Sequence, residues 1–260
     1  MFDNHFVPDD YGILPYFKIF GAEVSTYSIF VGLGIIVGVL FYYLSTRDSK
    51  KKSPHAYGIV MSALAGGFIG SKIIFVLENL AAITAGGNDP WALLFTGKSI
   101  VGGLLGGYLG ILIYKKIAKI QDLRFGNEIA IPVLLAMAIG RIGCFMTGCC
   151  AGIQVDRFWG IDFGDGVYRL PTQLFEMVFC LALAGYLWYL KKHKTLLPGK
   201  LFKKLIVYYL SFRFLLEFVR NNPRVLWIFT SYQIACILII AFVLYMDKRK
   251  RLKAKEQHGK

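Results

Sequence analysis

Gly140-Arg141-Ile142-Gly143-Cys144-Phe145-Met146-Thr147-Gly148-Cys149-Cys150-Ala151-Gly152 closes an apolar run that begins at Ile129. The stretch sets an arginine and three of the five cysteines of the chain at the end of a segment otherwise suited to hydrocarbon. A charge at mid-bilayer costs about 2.5–3.5 kcal/mol even on the gentlest scale, so such an arginine is best justified by a polar cavity that takes up an anion.

The rest of the composition agrees with a membrane setting. Apolar residues make up 56% of the 260, 28 are glycine, and the mean hydropathy is +0.53. The net charge of +14 is not spread evenly, since 21 of the 30 Lys and Arg fall within 47–52, 115–124, 191–204 and 248–260. These clusters follow every second apolar segment, which is the positive-inside pattern; a nucleic-acid surface is therefore not expected.

Runs of about 20 apolar residues, enough to cross a bilayer as a helix, predict helices near 24–45, 56–78, 98–117, 126–146, 171–190, 203–220 and 228–246. The expected fold is an all-α integral membrane protein with about seven transmembrane helices. An odd number puts the N-terminus, with Asp3, Asp9 and Asp10, outside and the basic C-terminus in the cytoplasm. Residues 1–250 then form one polytopic domain with an outer-face cap at about 147–170, and 251–260 a basic cytoplasmic tail. The first segment lacks basic residues before a short apolar core and does not read as a cleaved signal peptide. Residues 17–24 read as an amphipathic piece on the outer surface.

Glycines at 66, 67 and 70 and again at 102, 103, 106 and 107 let helix backbones approach closely in lipid. No GxxxxGK[ST] accompanies them, so a phosphate loop is set aside. Lys72 and Lys98 either snorkel or face an anionic ligand. In the cap, Asp156, Asp162 and Asp165 do not match an EF-hand and read as turn residues. Pro171 suits the first turn of the next helix, where Gln173 and Glu176 share a face. Arg213, Glu217 and Arg220 stand at i, i+4 and i+7 of the sixth helix. Arg213 and Glu217 can pair with each other, but the cost of mid-bilayer charge favours a cavity-facing role. Arginine stays charged in low dielectric and grips phosphate with a planar fork, so Arg141, Arg213 and Arg220 together point to an anionic lipid headgroup, with Glu176 and Glu217 orienting them or exchanging protons.

With these residues in view, the chain resembles the prolipoprotein diacylglyceryl transferases. The likeness runs through 25–30 at the first helix, 97–107, 140–152, 169–176, 213–220 and Ser231-Tyr232-Gln233. It implies an enzyme of the bacterial cytoplasmic (inner) membrane, multi-pass and without cofactor, with its active site toward the outer face. The reaction would move the diacylglyceryl group of phosphatidylglycerol, or another anionic phospholipid, onto the cysteine thiol of a prolipoprotein lipobox peptide, releasing glycerol phosphate. Arg141, Arg213 and Glu217 are then expected at the chemistry, and Tyr27, Gly152, Gln173, Glu176 and Arg220 at the substrate. The chain departs from the family at three places, with Val101 for a histidine, Cys144 for an asparagine and Cys149 for a glutamate. Any proton transfer by that histidine must fall to another group, such as Glu217 or Glu176.

Cys144, Cys149 and Cys150 admit four readings: a nucleophile beside Arg141, a disulfide pinning the cap, a metal site, or packing. A metal is not expected, because His55 and His193 are predicted on the opposite side. Cys180 and Cys236 read as packing residues. The departures also leave room for a glycan or lipid acceptor, for a non-catalytic lipid-binding or transport protein, or for a thiol oxidoreductase.

Overall fold

The computed structural model describes residues 11–19, 22–47, 55–78, 100–120, 125–220, 222, 224–226 and 228–258. Among them are seven α-helices: α1 (Thr26–Thr46), α2 (Ala56–Glu78), α3 (Ile100–Ile117), α4 (Phe125–Met146), α5 (Thr172–His193), α6 (Lys200–Leu216) and α7 (Ser231–His258). Every segment expected to be helical holds one. Three of them are long and apolar enough to cross a membrane, Thr26–Thr46, Gly126–Met146 and Thr172–His193, with a shorter apolar helix at Tyr57–Ile73.

The described residues fall into two compact units, within Met1–Asp48 and Gly126–Lys260, and within Ser49–Phe125. The second is the α2–α3 pair, and its glycines explain the pairing. A Cβ on Gly106 would lie 2.1 Å from the Gly66 carbonyl oxygen, so only glycine permits this approach. Lys72 is half-buried in α2. Val101 lies in the first turn of α3, and Lys98 falls outside the described residues.

In the first unit, α4, α5 and α6 share a core of Ala130, Leu134, Ala138, Cys180, Leu183, Leu187, Leu201 and Leu205, with Phe41 of α1 packed against it. Cys180 is fully buried and Cys236 nearly so, as packing residues should be. A Cβ on Gly34 would stand 2.7 Å from the Ala136 carbonyl oxygen, which brings the α1 backbone onto α4. Large apolar side chains on the opposite faces point outward, Ile36 and Leu44 on α1 and Phe242 on α7 among them. Outward apolar faces on helices whose backbone bonds are satisfied internally are what a bilayer requires.

Two elements differ from expectation. Within 17–24, the described residues belong to antiparallel strands, β1 (Tyr16–Ile19) paired with β2 (Ala22–Ser25), rather than to an amphipathic surface piece. Its pairing satisfies backbone groups that would otherwise need water, and it sets Lys18 opposite Glu23, 3.6 Å apart. The sixth helix ends at Leu216, not at 220. Glu217–Val219 form a 3-10 turn closed by Arg220 N donating to the Glu217 carbonyl, so Arg220 leaves the helical stripe. At the other end of the chain, α7 continues to His258 through the basic residues of 251–258, as Lys and Arg are good helix formers.

Residues 147–170 carry the hairpin β3 (Ile161–Asp162) and β4 (Tyr168–Arg169). Asp162 accepts from the Gly164 and Gly166 amides, and Asp165 accepts from Val167 N and pairs with Arg169 at 2.6 Å. These aspartates are turn residues, as their spacing predicts. The Arg169 guanidinium holds the Asp165 carboxyl below its ordinary range. A second hairpin, β5 (Arg224–Leu226) with β6 (Phe229–Thr230), leads into α7.

Candidate active site

Two charged groups form inside the first unit. At the end of α4, Arg141 Nη2 donates to Glu176 Oε1 at 2.6 Å, and Tyr209 Oη donates to the same oxygen at 2.5 Å. Arg141 Nη1 also reaches the Cys144 sulfur, 3.6 Å away. Glu176 is buried on α5 one turn after Gln173, which is buried too and donates to the Cys149 carbonyl at 2.8 Å. The shared face expected of Gln173 and Glu176 is therefore the inward one.

The second group surrounds Glu217. Arg213 Nη1 lies 2.7 Å from Glu217 Oε2, and Arg220 Nε lies 3.9 Å from the same oxygen. Oε1 accepts from Asn222 Nδ2 at 2.5 Å and from Thr230 Oγ1 at 3.1 Å. Arg213 therefore makes the pair with Glu217, while its guanidinium also lies 5.6 Å from the centre of the Tyr232 ring. Like charges brought together need anions between them, and here the carboxylates serve.

Residues 149–152 join the two groups. Gly152 forms an antiparallel bridge with Arg220, and its amide donates to the Leu170 carbonyl at 2.8 Å. A Cβ there would meet the Val219 carbonyl oxygen at 2.6 Å and Thr172 Cγ2 at 2.8 Å. Thr172 Oγ1 donates to the Cys150 carbonyl at 2.8 Å, and Cys150 holds a left-handed backbone with φ 67°. All five cysteines are free. Cys144 is buried and Cys149 and Cys150 are exposed, and Thr147 Oγ1 donates to the Cys149 sulfur at 3.4 Å. Tyr27, in the first turn of α1, sits against Gly143 and within electrostatic reach of Arg141 and all three thiols.

Every site residue expected from the sequence thus falls in the first unit, where Arg141 meets Glu176, Arg213 and Arg220 meet Glu217, Gln173 holds the Cys149 carbonyl, Gly152 bridges Arg220, and Tyr27 lies against Gly143. The family model for prolipoprotein diacylglyceryl transferase matches residues 15–247 of the chain. The chain belongs to the prolipoprotein diacylglyceryl transferase family. Among relatives of this family, phosphatidylglycerol-prolipoprotein diacylglyceryl transferase 2 of Clostridium perfringens (strain 13 / Type A) is 30% identical over 255 residues, covering 93% of this chain and 97% of its own length. The Clostridium tetani (strain Massachusetts / E88) enzyme of the same name, without the numeral, is 27% identical over 248 residues, covering 90% and 98%. That of Clostridioides difficile (strain 630) is 28% identical over 246 residues, covering 93% and 98%.

In this member of the diacylglyceryl transferase family, sequence reasoning missed Tyr209, Thr172, Asn222 and Thr230 as partners of the site. Tyr209 carried a signal. Tyr209, Arg213 and Glu217 repeat every four residues and share one face. Asn222 and Thr230 carried none, since their contacts depend on how the chain folds back after α6.

Proposed function

We propose that this chain moves the diacylglyceryl group of phosphatidylglycerol onto the cysteine thiol of a prolipoprotein, with release of glycerol phosphate. Family membership and the names of the relatives support this reading and give no support to a glycan or lipid acceptor. The observation that carries it is a mixed set of buried donors and acceptors within the first unit. Arg141, Arg213 and Arg220 supply positive charge, while Gln173 Oε1 and Glu176 Oε2 are buried acceptors without a hydrogen-bond partner. A phosphatidylglycerol headgroup offers the complement, a phosphate anion and a glycerol whose hydroxyls donate.

In this reading Arg141 and Arg213 stabilise the phosphate as it takes the electron pair of the breaking carbon–oxygen bond, a charge that develops in the transition state. Glu217 aims Arg213 and Arg220. Tyr27, Gln173, Glu176 and Arg220 bind substrate, and Gly152 keeps the bridge to Arg220 closed enough for them to converge. The topology that fits has seven crossings, the N-terminus outside, the C-terminus in the cytoplasm, and residues 147–170 capping an outer-face site in the bacterial inner membrane. The protein acceptor is a lipobox peptide.

Mass analysis of products after mixing the purified protein with phosphatidylglycerol and a lipobox peptide tests this. A peptide heavier by one thioether-linked diacylglyceryl group, together with glycerol phosphate, is expected. Headgroup binding without release of glycerol phosphate would leave a lipid-binding protein instead.

A further inference from the structure

The cap carries two large apolar side chains that neither charged group uses. Phe158 is 85% exposed and Trp159 68%, their rings edge to face with centroids 5.1 Å apart, in a turn that follows Asp156 and Arg157. Among the described residues no large apolar side chain is more exposed than Phe158. The turn is closed on itself, because the Trp159 and Gly160 amides both donate to the Asp156 carbonyl, at 3.0 and 3.1 Å. These two amides are satisfied without water, which lowers the cost of taking the turn out of it.

The helix that follows fixes the level of this turn. α5 has 22 residues, a rise of about 33 Å at 1.5 Å per residue, against a hydrocarbon thickness of about 30 Å. Its last turn holds Lys191, Lys192 and His193, which belong at one headgroup layer, so its first residue, Thr172, reaches the other. Leu170, just before that helix, lines an open cavity of about 600 Å³ together with Gln154, Val155, Asp156 and Trp159. Trp159 therefore stands beside the end of the span, at the depth where tryptophan is enriched because its ring is apolar and its N–H needs an acceptor. Further along α5, Phe175 and Val178 continue the outward apolar surface.

We propose that Phe158 and Trp159 insert into the interfacial layer of the leaflet at which α4 ends and α5 begins, and that this insertion anchors the cap to the bilayer. Arg157, exposed beside them with its guanidinium 5.9 Å from the centre of the Tyr168 ring, keeps its charge among the lipid phosphates. A peptide seated in the cavity would cover Trp159 and leave Phe158, which does not line it, in water; a bilayer covers both. The anchor holds the strand that leads into the site, since Gln154 bridges Arg169 and Val155 N donates to the Tyr168 carbonyl at 3.0 Å, shortly after Gly152 and its bridge to Arg220. The assignment does not depend on which acceptor the protein modifies.

The full chain in nanodiscs of phosphatidylcholine and phosphatidylglycerol tests this. The tryptophan emission of Trp159→Phe, subtracted from that of the wild type, isolates Trp159. In discs whose acyl chains are brominated that difference signal should be lost, more completely with bromines high on the chain than near its end, while aqueous iodide leaves it largely unchanged. Phe158→Trp places a second reporter in the turn, and its added emission should follow the same pattern. A Trp159 signal that brominated lipid leaves intact would overturn the anchor, whether iodide then reaches it, as for a turn in water, or does not, as for a turn covered by protein. A signal shielded only when a lipobox peptide is added would overturn it in favour of peptide docking.

Discussion

Arg141 of α4 and Glu176 of α5 meet at 2.6 Å, with Glu176 only 1% exposed, and Tyr209 of α6 shares the same carboxylate oxygen. One carboxylate therefore ties together the three helices that build the core. Breaking a buried pair by removing one partner costs about 3–5 kcal/mol, more than the pair contributes when intact. Glu176→Ala should lose stability of that order in detergent unfolding, while the double variant with Arg141→Met should recover most of it. Recovery of diacylglyceryl transfer along with stability would mean the pair serves the fold alone.

Arg141→Lys keeps the charge and gives up the planar fork that reaches Glu176 and the Cys144 sulfur together. We expect the variant to fold and to lose at least about tenfold in kcat/KM, since lysine does not replace arginine at a bidentate anion site. A variant with wild-type kinetics would show that charge alone suffices.

Gly152→Ala places a Cβ 2.6 Å from the Val219 carbonyl oxygen, a backbone atom that cannot swing aside. Overpacking of this kind costs about 1–3 kcal/mol, and here it opens the bridge to Arg220. Transfer should fall further than thermal stability does, measured side by side.

The Asp165–Arg169 pair supplies a pH dependence outside the membrane. Because the Asp165 carboxyl titrates lower in the fold than in the unfolded chain, its contribution is present above the unfolded value of about 3.9 and is lost as pH falls through the folded value. Amide-exchange protection of residues 161–169 should therefore drop at acid pH in the wild type. In Asp165→Asn it should start lower and change less over the same range.

In the α2–α3 pair, Gly106→Val would drive a branched side chain into the Gly66 carbonyl, 2.1 Å from where its Cβ must lie. The two helices must part, and cysteines placed at facing positions should crosslink less readily than in the parent.

Helix positions were legible because about 20 apolar residues in a row leave few alternatives, and the arginines because charge in such a run is costly. The Tyr16–Ser25 hairpin was harder. Four-residue strands with mixed polarity give a pattern as compatible with an amphipathic surface segment. The helix break at Leu216 depends on a 3-10 turn whose partner, the bridge between Arg220 and Gly152, lies 68 residues away along the chain. The same distance effect hid Thr230 and Asn222 from the Glu217 site.

Cys150 keeps its left-handed φ of 67° at a position where glycine would rest without strain. A residue bearing a β-carbon gives up about 1 kcal/mol there, so Cys150→Gly should yield a sturdier turn. Screening variants of this protein for thermal tolerance should therefore recover glycine at that one position.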